Sequence, residues 1–298
     1  MCGIVGLYTK NNDLRPRLGS LLSAMLVQMS DRGPDSAGVA LYRNPAPDGM
    51  CKITLQGESL DDAAASRLQA ELDNEFGGVT LERRANHVVV VAPGDAIRVM
   101  QFVEAHHPEL RVTSSGQVIE IFKEKGLPGE VVSQYQLDDV AGTHALGHTR
   151  MATESAVTTE HSHPFSTGLD LCLVHNGSLS NHNHLRRMLQ AEGIRFQTDN
   201  DSEVAAGYLT WRLSLGDDLE TALHHALKDL DGFYTFAIGT RDGFAVLRDP
   251  IACKPAVLAE TDDWVAMASE YRAIAQLPGA EGARIWEPEP ATVYTWGS

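Results

Sequence analysis

The sequence predicts an α+β fold in which two stacked β-sheets are covered by helices. Three observations support this prediction. Apolar segments with strand character occur in both the first and the last part of the chain. Segments with helical apolar spacing lie between them, and glycine-containing turns link the later strands as hairpins. Strands and helices grouped in this way are typical of the α+β class.

The first 43 residues are predicted to form a strand, a helix and a second strand. A short buried strand is expected at residues 4–8. Apolar side chains recur at helical spacing over residues 18–29, which predicts an amphipathic helix. The glycine, proline and charged residues of 32–38 indicate a loop, and residues 39–42 are expected to form the next strand.

The segment from about 44 to 140 differs from its surroundings and is interpreted as an insertion. A break rich in proline and asparagine opens it at 44–49, and residues 60–76 have the composition of a surface helix. The segment from about residue 77 to residue 125 is predicted to form a small α/β element with its own apolar face. No motif in the insertion has an evident chemistry, so a structural or partner-facing role is expected.

The remainder of the chain is predicted to contain helices followed by antiparallel strands. After a strand at 171–175, Asn181 is expected to cap one helix, and Asn200 with Glu203 resembles a capping box for the next. Residues 219–230 predict a strongly amphipathic helix. The further expected elements are strands at 234–239, 244–248, 256–259 and 265–268, a short helix at 271–276 and a last strand at 292–296.

Composition excludes several classes of function. The 298 residues carry 24 Lys and Arg against 40 Asp and Glu, and the net charge of −16 argues against a nucleic-acid partner. No run approaches the ~20 apolar residues of a membrane span, and no secretory signal is visible. The four cysteines (Cys2, Cys51, Cys172 and Cys253) are scattered, which fits a reducing cytoplasm.

Cys2 is the candidate nucleophile. Removal of Met1, expected because the next side chain is small, leaves a thiol and a free α-amine on one residue. An α-amine with a pKa of about 7.7–8.0 is half neutral near physiological pH and can serve as the base for that thiol. A retained Met1 would remove this base, and a cysteine at this position can also be accidental.

Polar clusters lie beside the predicted strands. In chain order they are Cys2-Gly3-Ile4, Arg32-Gly33-Pro34-Asp35-Ser36, residues 147–153, residues 173–181 and residues 198–203. Together they resemble the glutaminase domain of the class II glutamine amidotransferases, which are N-terminal-nucleophile hydrolases. The resemblance covers about residues 1–43 and 141–298. It implies a four-layer αββα sandwich and an amidotransferase domain over residues 2–298, with the 44–140 segment inserted.

The resemblance also implies a role for individual residues. Cys2 would attack the side-chain amide carbon of glutamine, while the Asn176 side chain and the Gly177 backbone N–H would form the oxyanion hole. Arg150 would hold the substrate α-carboxylate and Asp201 its α-ammonium group.

Three further residues have supporting roles by the same resemblance. Thr153 and His163 would line the substrate loops, and Arg32 would support the nucleophile. The sequence departs from the family at Met151, where an aromatic residue is usual, and at 252–255, where a glycine and an Arg-Pro pair are usual. The histidine spacing fits no metal site, so no metal is expected.

Each of these residues also has a plain structural interpretation. Arg150 can be a surface ion pair, Asn176-Gly177 a type I′ turn, and Asp201 a first-turn carboxylate favoured by the helix dipole. Their co-occurrence in the family's order favours the functional interpretation.

The implied function is a glutaminase subunit that hydrolyses L-glutamine through a Cys2 thioester and supplies ammonia to a separate synthase subunit. The organisation most resembles stand-alone amidotransferase subunits of glutamate synthase or N-methylglutamate synthase systems. No nucleotide-binding or second-domain motif occurs up to Ser298, so we expect this chain to be one subunit of a hetero-oligomer. Its expected location is the cytoplasm. No cofactor is expected in this chain, although such synthase partners carry flavin and iron–sulfur centres. The alternatives are a non-catalytic or muted scaffold subunit and an N-terminal-cysteine amidase for another substrate.

Overall fold

Two antiparallel β-sheets lie face to face, and helices cover the outer face of each. The computed structural model describes residues 2–151 and 157–297. The strands are β1 Gly3–Thr9, β2 Ser36–Tyr42, β3 Met50–Gln56, β4 Thr80–Arg84, β5 His87–Pro93, β6 Arg111–Gly116, β7 Ile119–Lys125, β8 His144–Arg150, β9 Cys172–Leu179, β10 Gly232–Gly239, β11 Gly243–Arg248, β12 Val257–Glu260, β13 Trp264–Ala268, β14 Arg284–Trp286 and β15 Thr292–Gly297. The helices are α1 Leu18–Val27, α2 Asp62–Phe76, α3 Ala96–His106, α4 Pro128–Gln134, α5 His182–Ala191, α6 Asp201–Ser214, α7 Leu219–Asp229 and α8 Tyr271–Ile274.

The larger sheet has the strand order β14-β12-β13-β1-β8-β2-β7, and the smaller has the order β15-β11-β10-β9. In the larger sheet β1 pairs with β13 on one side and with β8 on the other. Both edges of β1 are therefore paired. Its successive side chains point to opposite faces, so Ile4 packs between the two sheets while Val5 packs under the helices.

Three apolar cores separate the layers. One lies between the sheets and includes Leu146, Val174 and Phe244. A second lies between the larger sheet and α1, α4 and α8, and a third between the smaller sheet and α5, α6 and α7. This arrangement is the four-layer αββα sandwich that the sequence predicted.

The insertion folds around a third sheet, of order β4-β5-β3-β6, with α2 and α3 packed on it. Its limits differ from the expected 77–125. The element begins at Met50 and ends at Gly116, because β3 pairs with both β5 and β6. Strand β7, in contrast, pairs with β2 and belongs to the larger sheet. Such long-range pairings leave no trace in local periodicity.

Two predicted helix caps are wrong in detail. Asn181 donates to the Asp229 carbonyl at 2.8 Å rather than capping α5. Asn200 does cap α6, through a bond from the Ser202 N–H, but Glu203 accepts from the backbone of Gln197 at 2.7 Å and not from the cap. Neither α4 nor β14 was predicted. No helix in the described ranges has the length and apolar character needed to cross a bilayer.

Candidate active site

Cys2 stands at the head of β1, where the strand emerges from the larger sheet. The next residues are fixed on both sides. Gly3 is in register with Thr149 of β8. On the other side, the Ile4 N–H donates to the Ser269 hydroxyl at 2.9 Å, and the Ser269 N–H donates to the Ile4 carbonyl at the same distance. The position of Cys2 is therefore set by the sheet.

The carbonyl of Cys2 accepts two side-chain hydrogen bonds. Arg32 donates from Nε at 3.0 Å, and Asn176 donates from Nδ2 at 3.2 Å. Arg32 in turn pairs with Glu270 at 2.8 Å. Arg32 thus contacts the backbone of the nucleophile residue and is not part of the lining of the cavity described below. The contributions of Ser269 and Glu270 were not predicted.

A cavity of about 480 Å³ opens in front of Cys2. Of the predicted site residues, it is lined by Cys2, Arg150, His163, Asn176, Gly177 and Asp201. Thr153 lies outside the described residues. A larger cavity of about 680 Å³ lies between the insertion and residues 158–160, but its described lining contains no cysteine. Size alone therefore does not identify the site.

Asn176 and Gly177 lie within β9 rather than in a turn, which excludes the type I′ interpretation. They pair with Thr235 and Tyr234 of β10. Gly177 has a φ of +148°, and a Cβ at this position would lie 2.0 Å from the carbonyl oxygen of Phe233. Only glycine fits there, and its conformation fixes the direction of the adjacent peptide group.

Arg150 ends β8 and is only 5% exposed, which excludes a plain surface ion pair. Burial lowers the pKa of its guanidinium group, while Cys2 and Asp35 nearby oppose that decrease. Arginine has an unperturbed pKa above about 12, so the group remains a cation. Beside it, the Met151 carbonyl lies 4.0 Å from the Cys2 sulfur.

Asp201 is the first residue of α6, and its carboxylate bridges that helix to β9. Oδ2 accepts from the Leu179 N–H at 2.9 Å, and Oδ1 accepts from the Ser202 hydroxyl at 3.3 Å. The side chain remains 21% exposed toward the cavity. The cavity therefore carries a fixed anion on one element and a buried cation, Arg150, on another.

Buried histidines form the polar floor of the site. His163 Nε2 and His175 Nδ1 both lie within hydrogen-bond distance of the Ser202 hydroxyl, at 2.8 Å and 2.9 Å. His148 stacks on His163 with ring centroids 4.0 Å apart. Burial lowers the pKa of His148 to about 3 and that of His163 well below its usual value. These rings are neutral at physiological pH.

Sequence reasoning missed several residues that line the cavity. His175 and Ser202 belong to the polar clusters at 173–181 and 198–203, but their mutual contact joins β9 to α6 and is invisible in sequence. Lys254 also lines the cavity, with Nζ 5.0 Å from the ring centroid of Phe233. The departure at 252–255 was the available signal for it. Within the described part of the chain, no group of three or more His, Cys, Asp or Glu is arranged to hold a metal.

Comparison with known proteins gives a consistent assignment. The profile of the glutamine amidotransferase domain family matches residues 148–276. The chain is 54% identical to the glutamine amidotransferase-like protein GlxB of Rhizobium meliloti (strain 1021), over 99% of this chain and 98% of GlxB. It is 29% identical to a putative glutamine amidotransferase of Methanothermobacter thermautotrophicus, over 99% of both chains.

Among solved structures, glutamine phosphoribosylpyrophosphate amidotransferase from B. subtilis aligns with 99% of this chain at a TM-score of 0.63 and 21% identity. This likeness concerns the fold. The chain spans 47% of that protein's length. Since GlxB matches along nearly its whole length, the chain belongs to the class II glutamine amidotransferase family of enzymes.

Proposed function

We propose that this chain hydrolyses L-glutamine to L-glutamate and ammonia through a thioester on Cys2. One observation carries the proposal: Cys2, at the fixed end of β1, shares a cavity with Asn176, Gly177, Arg150 and Asp201. A nucleophile, oxyanion donors and two opposite charges for an α-amino acid are thereby combined in one site.

The first step uses the α-amine that removal of residue 1 exposes on Cys2. The neutral amine accepts the thiol proton, and the thiolate attacks the amide carbon of glutamine as the carbonyl electrons move onto oxygen. The side-chain amide of Asn176 carries two N–H donors, of which one contacts the Cys2 carbonyl. The second N–H and the Gly177 N–H are the donors that we assign to the oxyanion.

The next steps return the enzyme to its starting state. The tetrahedral intermediate collapses, the carbon–nitrogen bond breaks, and the α-ammonium group of Cys2 protonates the leaving nitrogen as ammonia. The amine then removes a proton from water, which attacks the thioester. The carbon–sulfur bond breaks, glutamate leaves, and the thiolate is reprotonated by the α-ammonium group.

Specificity for an α-amino acid rests on the two charges. The buried Arg150 guanidinium offers a planar pair of donors to an α-carboxylate. The Asp201 carboxylate, which is fixed by Leu179 N–H, accepts from an α-ammonium group. A substrate that lacks either charge would lose one of these two charge-assisted contacts, and this costs binding free energy.

We assign the ammonia to a separate synthase subunit of the glutamate synthase or N-methylglutamate synthase type. The support is the resemblance to stand-alone amidotransferase subunits. The insertion, whose core is separate from the main cores, is the proposed docking surface. Co-purification from the native cell with a flavin and iron–sulfur synthase would support this assignment, whereas full glutaminase turnover unchanged by any synthase would contradict it.

The alternative is an amidotransferase-like subunit with little or no glutaminase activity of its own. The observation that supports this alternative is the residue at position 151, Met151. This residue stands where the family usually has an aromatic side chain, is 38% exposed, and lies beside the Cys2 thiol. Met151 also lines the cavity, so bound substrate would meet a flexible side chain there rather than a rigid ring.

The test is glutamate release from glutamine, combined with intact-mass measurement of the N-terminus. Processed wild type should be active. Cys2→Ala, and a wild-type chain with an uncleavable residue before Cys2, should both lose activity while remaining folded. Cys253→Ala is the matched control, since Cys253 is an exposed thiol outside the cavity lining. Equal activity of processed and blocked protein would contradict the α-amine mechanism, and an inactive processed wild type would favour the muted alternative.

A further inference from the structure

We propose that Lys123 is a positioning residue for the glutamine site, which holds segment 160–164 so that His163, Ser202 and Asp201 stay aligned. This inference rests on the proposed function, since Asp201 matters here as the partner of the substrate ammonium group. Lys123 itself lies on β7 and does not line the cavity.

The ammonium group of Lys123 is enclosed by the segment that it holds. The residue is 6% exposed. Its Nζ donates to the carbonyl oxygens of Ser162 at 2.8 Å, Glu160 at 3.3 Å and Pro164 at 3.4 Å, and lies 4.7 Å from the ring centroid of Phe165. An ammonium group is expensive to bury, and here the donors are satisfied by the backbone of one short segment. Lys123 therefore ties the path of that segment to the larger sheet.

From this segment, side-chain contacts lead directly to the substrate cavity. His163 lies between two of the residues whose carbonyls Lys123 binds, and its Nε2 is 2.8 Å from the Ser202 hydroxyl. Ser202 Oγ lies 3.3 Å from Asp201 Oδ1 and 2.9 Å from His175 Nδ1. A displacement of the segment is thus two contacts away from the carboxylate that we assign to the substrate ammonium group.

The same segment is also held by the insertion. Arg111, on β6 at the end of the insertion sheet, forms an ion pair with Glu160. Next to it, His161 Nε2 lies 3.1 Å from Asp199 Oδ1, and Asp199 lines the cavity. Lys123 therefore acts where the insertion, the larger sheet and the site meet.

The charge on Lys123 is sensitive to mildly alkaline pH. Burial lowers the pKa of Lys123 to about 8, the Glu203 carboxylate opposes this decrease, and the Arg111 guanidinium adds to it. The rings of His87 and His163 face the same group and are neutral. Above pH 8 the neutral amine has only two N–H donors for three carbonyls, so the segment is held less firmly. The Cys2 amine, by contrast, becomes an active base as pH rises.

The experiment compares Lys123→Met and Lys123→Arg with Lys52→Met. Lys52 is the matched control, because it is also 6% exposed and bonds Glu120 at 2.9 Å, but it lies in the insertion sheet away from the cavity. Lys123→Met should raise KM for glutamine about tenfold with a smaller decrease in kcat, since residues that act through a contact network shift binding by this order. Lys123→Arg should restore most of the affinity, and Lys52→Met should leave both constants within about twofold of wild type.

Two further measurements complete the test. KM of the wild type should rise more steeply above pH 8 than that of Lys123→Arg. The α-ammonium group of glutamine deprotonates for both enzymes, but the guanidinium of the variant remains charged. Hydrogen exchange of residues 157–164 should accelerate in Lys123→Met and not in Lys52→Met. An unchanged KM in folded Lys123→Met, or a rise of KM with pH that is equally steep in wild type and Lys123→Arg, would overturn the inference. If the wild type does not hydrolyse glutamine, the proposed function fails, and hydrogen exchange alone decides whether Lys123 positions the segment.

Discussion

The side-chain amide of Asn176 donates a hydrogen bond to the backbone carbonyl of Cys2 at 3.2 Å. This contact joins the two sheets, because Cys2 precedes β1 of the larger sheet and Asn176 lies on β9 of the smaller one. Arg32 donates a second hydrogen bond to the same carbonyl. The amide nitrogen that we assign to the oxyanion is therefore held in place by the residue that carries the nucleophile.

Replacement of Asn176 by Ala is expected to lower kcat by about 10²–10³, because the donor acts on charge that exists only near the transition state. KM should change little. The matched control is Asn181→Ala, which removes an amide that also donates to a backbone carbonyl, that of Asp229, but lies outside the cavity lining. Steady-state glutaminase kinetics of both variants check the prediction. Equal losses in the two variants would mean that the effect is structural.

Gly177→Ala is expected to abolish most activity and to destabilise the fold. The added Cβ would lie 2.0 Å from the Phe233 carbonyl oxygen, so β9 and β10 must separate and the Gly177 N–H must move. Gly193→Ala is the matched control, since Gly193 also has a positive φ, of +88°, but faces open space. It should cost about 1 kcal/mol of unfolding free energy and keep kcat. Denaturant titration and kinetics separate the two effects.

The sandwich was predictable from the sequence because its motifs and helices are local. Cys2, Arg150 and Asn176 each sit in a short cluster beside a strand, and chain order alone relates them to a known family. The clusters converge because β1, β8 and β9 present their ends to one cavity. That convergence follows from the fold and not from any single motif.

Contacts between segments that are far apart in the chain could not be predicted from the sequence. The limits of the insertion depend on β3 pairing with β5 and β6, and a strand such as β7 has the same composition whichever sheet it joins. The contact between His163 and Ser202 links residues that are 39 positions apart. The backbone contacts of Lys123 are equally non-local, so a lysine in a strand carried no signal of its role.

Asp201→Asn is expected to raise KM for glutamine sharply. The substrate ammonium group would lose its charged partner, and such a loss costs about 2–5 kcal/mol of binding free energy. The asparagine oxygen can still accept from the Leu179 N–H, so the fold should persist. Asp199→Asn is the control, because Asp199 also lines the cavity but its side chain is 87% exposed. The measurement is kcat/KM for glutamine, with alkylation of Cys2 by iodoacetamide as a check that the site is intact. A wild-type kcat/KM in Asp201→Asn would refute the assigned role.

Acidification is expected to destabilise the protein through its buried neutral histidines. Burial lowers the pKa of His148 and of His87 to about 3, and that of His144 to about 4, whereas an unfolded histidine titrates near about 6.5. Between these values the unfolded state binds more protons than the folded state, so the free energy of unfolding falls as pH falls. Well above pH 6.5 these groups do not change the free energy of unfolding. Below it, each group lowers that free energy by about 1.4 kcal/mol per pH unit until its folded-state pKa is reached. Urea titrations between pH 7.5 and 4.5 measure this slope, which His144→Gln should reduce and the exposed His224→Gln should not. An equal slope in wild type and His144→Gln would contradict the assignment for that ring.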